Sequence, residues 1–327
     1  MGIGTAAWGE KLLGYGKAYS AEDIFQTYKA CLDAGLNFFD TAEHYGRGES
    51  EKLLGECRHR DERPIIISTK YAPPGAFSPS FERSSPDTVL KALDASLARL
   101  NVRQIDLYNL HFPPPKKKLK AYLDKFAEAF YEGKIRAVGV CNFNEPLIRE
   151  AHAYLAYHNI PLASNQVAYN LLKRYVETNG VLKACRELNI SLIATGPLEE
   201  GVLTGKFRSG AASLSAFKRI VSQFGRIDWF GEQKGMTTFW HQLFSTPRML
   251  QQKKLEPLFI VLEEIAETRL KTIGQVVLNW LMTKDECIIP IPGAKNKKQA
   301  IENIGALAWA LTAEERDRIE QAEMASR

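Results

Sequence analysis

Cysteine is scarce in this sequence, and its positions rule out two ways of stabilising a fold. Five cysteines are scattered over 327 residues, and none forms a C-x-x-C pair or clusters with histidine. An odd, dispersed set argues against a disulfide framework and against a metal site, so we predict neither. A reducing compartment fits best, and we take the cytoplasm as the default location. An organelle is the alternative, because a removed transit peptide would leave no trace in this chain.

Long apolar runs are also missing. Nothing approaches an 18-residue apolar stretch, and the opening MGIGTAAWGEKLL has neither a basic region nor the apolar core of a secretory signal. The net charge of +5 is mild for this length. The single basic run, PPPKKKLK, lacks interleaved aromatic residues and is interpreted as a solvated loop entering a helix. We therefore expect neither a membrane nor a nucleic acid as a partner.

The usual nucleotide-binding motifs are absent too. No G-x-G-x-x-G motif occurs, and GVLTGKF is one residue short of a P-loop and lacks its final serine or threonine. These absences argue against an open, doubly wound dinucleotide-binding sheet and against a P-loop fold.

What the sequence does contain is a regular alternation of short apolar runs and amphipathic segments. The runs are rich in β-branched residues and apolar on both faces, as buried parallel strands are. They begin near residues 36, 64, 105, 134, 162, 190 and 287, and the glycine-rich MGIGTAAW makes an eighth. Helical patterns such as AEDIFQTYKACLDAG and DTVLKALDASLARL lie between most of them. Repeated βαβ units of about 30 residues predict an α/β fold, a parallel eight-stranded (β/α)8 TIM barrel, as a single domain over residues 1–327.

The connection between the seventh and eighth predicted strands is the longest. Residues 209–252 form an irregular stretch studded with aromatic residues, which fits either a lid over a ligand or a loop packed on its own barrel. The patterns LEPLFIVLEEIAE and TIGQVVLNWLMTK then predict two helices. The tail LTAEERDRIEQAE predicts a C-terminal helix capped by Thr312, with Glu315 three residues on.

Polar residues occur where the predicted strands end, which is where barrel enzymes hold their chemistry. Asp40 ends the second strand, Lys70 the third and His111 the fourth, while Tyr45 follows in the glycine-rich stretch FFDTAEHYGRGESE. Singly, each also fits a structural role, such as a helix cap for Asp40. Together, a lysine would lower the tyrosine pKa, a carboxylate would orient the lysine, and a histidine would bind the substrate oxygen. Such a set donates a proton to an oxygen that gains negative charge, but the hydride must come from a cofactor.

Seven blocks of the sequence carry a resemblance to a known family. They are GLNFFDTAEHYGRGESEKLLGE, STK, DLYNLHFPPP, GKIRAVGVCNFN, NQVAYN, GPLEEGVLTGKF and IPIPGAKNKKQAIEN. In order and position these blocks resemble the aldo-keto reductase superfamily, of the long-chain NADPH-dependent type, from residue 1 to about 310. The resemblance implies a cofactor-filled barrel that uses NADPH to reduce a small-molecule aldehyde or ketone to an alcohol. It also implies a catalytic tetrad of Asp40, Tyr45, Lys70 and His111, with Tyr45 as the general acid.

The same resemblance implies a cofactor site. Asn142 and Gln166 would hold the nicotinamide carboxamide, backbone around Leu198–Lys206 would bind the pyrophosphate, and Lys295 and Asn296 would meet the 2′-phosphate. The segment PGAKNKKQAIEN opens a helix, whose N-terminus favours anions. The complete implied set is Thr5, Asn142, Gln166, Thr195, Pro197, Leu198, Gly201, Lys206, Gly293, Lys295, Asn296, Gln299, Glu302 and Asn303. The aromatic residues predicted to line the substrate pocket are Trp8, Tyr71 and Phe112.

The chain departs from the family pattern at several points. Thr195 stands where the family usually has an aromatic ring that stacks on the nicotinamide, and Cys141 stands where it usually has a serine. Glu199 and Glu200 place acidic charge beside the implied pyrophosphate site. The sequence also begins at the first barrel strand, without the hairpin that normally covers the barrel bottom.

These departures leave an alternative function open. The barrel would then bind nicotinamide weakly and serve as a regulatory or partner subunit with little or no turnover. A third class, an isomerase or aldolase, would need a Schiff-base lysine, a role open to Lys70, or a glutamate base, but it leaves Asp40 and Tyr45 without a role. The combined tetrad favours the reductase.

Overall fold

The computed structural model of the protein describes residues 1–73, 85–207 and 252–326. The segment predicted as a lid or packed loop over residues 209–252 lies, up to residue 251, outside the described residues. Eight strands form one sheet in the order of the chain, and every neighbouring pair is parallel. The strands are β1 (Ile3–Gly4), β2 (Phe38–Asp40), β3 (Ile66–Tyr71), β4 (Ile105–Leu110), β5 (Ile135–Cys141), β6 (Leu162–Ala168), β7 (Ser191–Thr195) and β8 (Ile288–Pro290).

The first and last strands meet, and this contact closes the sheet. The backbone N–H of Gly2 donates to the carbonyl of Pro290 at 2.9 Å, and that of Gly4 donates to Pro292 at 3.1 Å. Closure pairs the two outer strands of the sheet and brings the carboxyl ends of the eight strands around one mouth. The predicted (β/α)8 barrel is therefore confirmed.

Amphipathic helices surround the strands, as the sequence pattern predicts. The helix over Thr88–Leu100, for example, buries Val89, Leu93 and Leu100 against the barrel. The helices are α1 (Ala21–Asp33), α2 (Glu49–Arg60), α3 (Thr88–Leu100), α4 (Leu119–Tyr131), α5 (Glu145–Tyr157), α6 (Val181–Glu187), α7 (Glu256–Arg269), α8 (Ile273–Lys284), α9 (Lys297–Ile304) and α10 (Ala313–Ala325). The basic run is an exposed 3-10 turn (Lys116–Lys118) that leads into α4, and Thr312 caps α10 through the predicted capping box with Glu315. Across the described ranges, no helix combines the length and apolar character that a bilayer crossing requires.

Buried side chains occupy two regions, one between the strands and the helices and one inside the barrel. Between strands and helices lies a large apolar core, in which Tyr108 of β4 stacks on Phe126 of α4 with ring centroids 5.1 Å apart. A second, small apolar cluster is formed by Leu107, Ile193 and Ile291 of the barrel, with Phe38, Ala137 and Ala163 packed against it. The rest of the barrel interior near the mouth is polar, and that is where the candidate site lies.

Candidate active site

A buried ion pair forms the centre of the site. Asp40 ends β2 opposite Ser68 of β3, and Lys70 lies two residues further along β3, so alternation turns it to the same face of the sheet. The Lys70 ammonium donates to Asp40 Oδ2 at 2.7 Å and to the Thr41 carbonyl at 2.6 Å, while Ser68 Oγ donates to Asp40 Oδ1 at 2.8 Å. Burial disfavours the charged lysine, but the Asp40 carboxylate outweighs it, and the pKa of Lys70 is raised. Lys70 is therefore cationic at neutral pH.

Tyr45 reaches this pair from a tight turn. It opens the 3-10 segment Tyr45–Gly48, in which Gly46 and Gly48 have φ of 56° and 92°. A Cβ on Gly46 would lie 3.1 Å from the Gly9 backbone, so glycine is required there by both conformation and space. The Lys70 ammonium lies 5.0 Å from the centroid of the partly exposed Tyr45 ring. The turn thus brings the phenol over the ion pair.

The ionisation of Tyr45 differs from the sequence-based expectation. Burial raises the pKa of the phenol more than the charge of Lys70 lowers it, and the net pKa is raised. The prediction that Lys70 pulls the pKa of Tyr45 down is right for the contribution of Lys70 but wrong for the sum, because desolvation is larger. Tyr45 is therefore protonated at neutral pH, which is the form that donates a proton.

His111 lies directly after β4 and faces the same mouth. Its backbone N–H donates to the Tyr71 carbonyl at 2.9 Å, and its ring centroid lies 6.4 Å from that of Tyr45. The ring stacks on Phe112 at 4.5 Å and approaches His44 at 4.8 Å. Burial, with smaller contributions from His44 and Lys70, holds the pKa of His111 well below its usual range. His111 is therefore neutral at physiological pH, and it keeps one ring N–H for a hydrogen bond.

His44 was missed by sequence reasoning. Its only sequence signal is its position next to Tyr45, and its contact with His111 depends on how the turn folds back over β4. Its ring centroid is 4.8 Å from that of Tyr45 as well. The second imidazole lowers the pKa of His111 and adds to the aromatic wall of the mouth.

The residues predicted to bind a carboxamide lie together at the ends of β5 and β6. Asn142 adopts a left-handed conformation, with φ of 63°, and its Nδ2 donates to the His111 carbonyl at 3.1 Å. Gln166 Oε1 accepts a weak hydrogen bond from Cys141 Sγ at 3.7 Å. Gln166 Nε2 is buried and, within the described part of the chain, has no hydrogen-bond partner. A buried amide donor without a partner is costly, so this group fits a ligand that presents an acceptor, such as a nicotinamide carboxamide.

Two lysines lie near each other on the far side of the mouth. The pKa of Lys206 is lowered by burial and then by the charge of Lys295, although Glu200 and Glu302 oppose this. A Cβ on Gly201, which has φ of 85°, would lie 2.3 Å from Lys206 Nζ, so the Lys206 side chain packs directly on the backbone of Gly201. Burial lowers the pKa of Lys295, whose Nζ donates to the Leu13 carbonyl at 3.2 Å. Burial disfavours the charged form of both lysines, and a bound phosphate group would offset that cost, so the pair fits the phosphates of a dinucleotide.

Glu199 does not present free negative charge to this region. Its Oε1 lies 2.7 Å from Lys173 Nζ, and its Oε2 accepts from Asn170 Nδ2 at 2.7 Å. The Glu199 carboxylate is buried after β7 and paired with Lys173 of another loop. Of the two glutamates that depart from the family pattern, Glu199 therefore has its charge balanced within the protein.

Several predicted residues shape the start of α9. Asn296 is its N-cap, because its Oδ1 accepts from the Gln299 N–H at 3.0 Å, and Gln299 Oε1 accepts from the Lys295 N–H at 3.1 Å. Asn303 Nδ2 donates to the Gly293 carbonyl at 3.2 Å. These side chains therefore order the helix start, whose free N–H groups remain the anion-binding feature.

Other predicted residues separate into two groups. Thr195 is the last residue of β7, Pro197 and Leu198 follow that strand, and Glu302 is partly exposed on α9. Thr5, Trp8 and Tyr71 have no exposed surface. Their polar atoms are taken up by the protein: Thr5 donates to the Asp40 carbonyl at 3.0 Å, Trp8 donates to the Ala294 carbonyl at 2.8 Å, and Tyr71 bonds Thr88 Oγ1 at 2.7 Å. We therefore leave these three out of the site proposed below.

The comparisons with known proteins agree with this fold. A family model described as "Aldo/keto reductase family" matches residues 1–324. The chain is 33% identical to the chloroplastic pyridoxal reductase of Arabidopsis thaliana, over 98% of this chain and 82% of that protein. It is 32% identical to an NADP(+) aldo-keto reductase of Schizosaccharomyces pombe, over 86% and 76% of the two chains. A solved thermostable aldo-keto reductase, in complex with the inhibitor epalrestat, superposes with a TM-score of 0.70 at 25% identity, over 98% and 94%.

A parallel eight-stranded barrel with polar side chains at the carboxyl ends of its strands is the architecture of a barrel enzyme. The family match over nearly the whole chain makes the assignment specific. The protein belongs to the aldo/keto reductase family, and it is an NAD(P)H-dependent oxidoreductase, as the sequence predicts.

Proposed function

We propose that the protein reduces aldehydes and ketones to alcohols with NADPH, and that Tyr45 is the proton donor. The observation that carries this proposal is the combination of a buried Lys70–Asp40 pair, a protonated Tyr45 and a neutral His111 at one mouth. The set offers an acid, a fixed positive charge and an uncharged hydrogen-bond donor, which are the three things that a developing alkoxide requires.

Each residue has a distinct part in the proposed reaction. His111 donates its ring N–H to the substrate oxygen and so orients the carbonyl toward Tyr45. As that oxygen gains negative charge, Tyr45 transfers its proton, and the Lys70 ammonium stabilises the phenolate that remains. Asp40 keeps Lys70 charged and in place. When bound, NADPH supplies the hydride.

The cofactor assignment rests on the donors that the chain offers. Gln166 Nε2 and Asn142 would hold the carboxamide, while Lys206, Lys295 and the start of α9 would hold the phosphates. The fission yeast relative is an NADP(+) aldo-keto reductase by name, which favours the phosphorylated dinucleotide here.

The substrate class follows from the aromatic side chains at the mouth. His111 and Phe112 are stacked with their planes 8° apart, and a planar substrate can lie along such a surface. Aromatic aldehydes are therefore the favoured class. Pyridoxal belongs in the test panel because the Arabidopsis relative is named a pyridoxal reductase.

The test is the oxidation of NADPH in the presence of a panel of aromatic and aliphatic aldehydes. We expect Tyr45→Phe to lower kcat by a factor of about 10² to 10⁴, the usual contribution of a general acid, with little change in NADPH affinity. Tyr157→Phe is the matched control, since Tyr157 is 84% exposed at the C-terminal end of α5, the end remote from the mouth. Turnover by Tyr45→Phe within tenfold of the wild type would refute the role of Tyr45. Binding of NADPH without turnover of any aldehyde would refute the reductase activity.

A further inference from the structure

Three buried polar side chains lie inside the barrel below the tetrad, and the mechanism described above gives them no role. Ser68 of β3, Asn109 of β4 and Ser164 of β6 are each at most 1% exposed. Ser164 Oγ donates to Asn109 Oδ1 at 3.3 Å, Asn109 Nδ2 donates to Ser68 Oγ at 3.0 Å, and Ser68 Oγ donates to Asp40 Oδ1 at 2.8 Å. A continuous chain of hydrogen bonds therefore crosses the barrel and ends on the catalytic carboxylate.

The direction of every bond in this chain is fixed. Asn109 Nδ2 also donates to the backbone carbonyl of Thr69 at 3.1 Å, and a carbonyl can only accept. A flipped amide would turn Oδ1 toward that carbonyl, so the orientation of Asn109 follows from the backbone. Because the hydroxyl of Ser68 accepts from Asn109, its single proton is left for Asp40.

The backbone of the barrel is shaped to make room for the chain. A Cβ on Gly139 of β5 would lie 2.1 Å from Asn109 Oδ1 and 2.5 Å from Ser164 Oγ. The pairing of β5 with β6 shifts its register between Val138 and Gly139, and this shift sets Gly139 opposite Ser164. The glycine and the register shift occur at the same point of the barrel wall, and together they leave the space that Asn109 and Ser164 occupy.

We propose that Ser68 and Asn109 are positioning residues for the catalytic ion pair. The carboxylate of Asp40 has two oxygens, of which Oδ2 binds Lys70 and Oδ1 is anchored by Ser68. With both oxygens anchored, the carboxylate does not rotate, and the ammonium of Lys70 stays beside the phenol of Tyr45. Without the Ser68 hydroxyl, the carboxylate turns, Lys70 follows it, and the phenolate of Tyr45 loses stabilisation. This inference rests on the proposed function, since it concerns the acid that the proposed reaction uses.

The kinetic test compares Ser68→Ala with the wild type in the aldehyde assay. We expect kcat to fall about tenfold or more, as for loss of a hydrogen bond to a charged group, while KM and the Kd for NADPH stay within about twofold. The alkaline limb of the kcat profile should move to higher pH, because a less stabilised phenolate raises the pKa of Tyr45. Ser96→Ala is the matched control, since Ser96 of α3 is equally buried but outside the barrel. A purely structural role would lower the melting temperature and leave the alkaline limb in place, and that result would overturn the proposal.

A second measurement separates this proposal from the proposed function. Urea unfolding of Ser68→Ala, Asp40→Asn and the double variant gives the coupling between the two residues without any turnover. Coupling is expected, and additive effects would overturn the proposal. If the wild type reduces no aldehyde, the proposed function fails while this cycle still decides whether Ser68 holds Asp40. Should Asp40→Asn not fold, the cycle of Ser68→Ala with Asn109→Ala tests the next bond of the chain in the same way.

Discussion

Replacing Asp40 by asparagine tests how much the barrel depends on one buried charge. Lys70 is 0% exposed and Asp40 is 2% exposed, with 2.7 Å between Nζ and Oδ2. Asparagine keeps the volume of the side chain but leaves the ammonium buried without its counter-charge. Removing one partner of a buried pair costs about 3–5 kcal/mol, which is a large share of the ~5–15 kcal/mol that holds a typical domain together.

The cost depends on pH in a direction that can be worked out. In the wild type the pKa of Lys70 is raised above its unfolded value, so its contribution to stability is fully present below about pH 10 and is lost only at strongly alkaline pH. In Asp40→Asn, burial remains without the carboxylate, so the pKa of Lys70 falls below its unfolded value. The resulting penalty is complete at neutral pH and shrinks as the lysine loses its proton toward about pH 10. The stability gap between wild type and variant should therefore be widest near neutrality and narrower in alkali.

The measurement is urea unfolding, followed by circular dichroism, at neutral pH and at about pH 9.5, on wild type, Asp40→Asn and Asp40→Asn/Lys70→Met. The double variant removes both charges and fills the space with an apolar chain, so it should be more stable than Asp40→Asn by at least about 1 kcal/mol. The reasoning fails if Asp40→Asn unfolds within about 1 kcal/mol of wild type at neutral pH, or if the gap widens as the pH rises.

Three further outcomes are expected. Arg174→Met should cost about 3 kcal/mol in urea unfolding, because Arg174 binds Glu177 at 2.7 and 2.8 Å while 10% exposed. Burial raises the pKa of Glu177, but the bonds to Arg174 outweigh it and the pKa is lowered. The pair therefore stabilises the fold above about pH 4.3, and the difference in unfolding free energy between wild type and Arg174→Met should vanish as the pH falls through the folded pKa of Glu177. Lys206→Met should weaken NADPH binding about tenfold in a fluorescence titration, and an unchanged Kd would remove Lys206 from the phosphate site. Cys141→Ser should tighten NADPH binding a few-fold, because a hydroxyl is a stronger donor than a thiol and would fix Gln166; weaker binding would contradict this.

The strand ends were predictable because the sequence alternates between short apolar runs, which form strands, and amphipathic segments with a helical period. Apolar runs locate the strands, and in a barrel the polar residues near their carboxyl ends lie at the mouth, as Asp40 at the end of β2 and His111 directly after β4 do. The alternation of side chains along a strand explains the position of Tyr71. It follows Lys70 in β3 and so points to the opposite face, where it bonds Thr88 of α3. Since neighbouring side chains of a strand point to opposite faces, the position of Tyr71 directly after Lys70 is enough to exclude it from the substrate pocket.

Contacts between distant segments were not predictable from one sequence. Nothing near Asn109 indicates that Gly139 leaves space for it, since the two residues lie on different strands and each is ordinary in its own context. The pairing of Glu199 with Lys173 is another such contact, because it depends on how the loops after β6 and β7 pack together. The balance at Tyr45 was missed for a related reason: the lysine was visible in the sequence, whereas the degree of burial was not.

Burial shifts the pKa values of Tyr45 and His111 in opposite directions, but it favours the uncharged form of both. It raises the pKa of Tyr45 and lowers the pKa of His111, so both are uncharged at neutral pH. Lys70 is fully buried, yet it keeps its charge because Asp40 lies 2.7 Å away. The mouth therefore contains one permanent ion pair and two neutral groups that can donate. In the reaction proposed above, a protonated phenol beside a fixed cation can give its proton to the carbonyl oxygen, and the cation then stabilises the phenolate that remains.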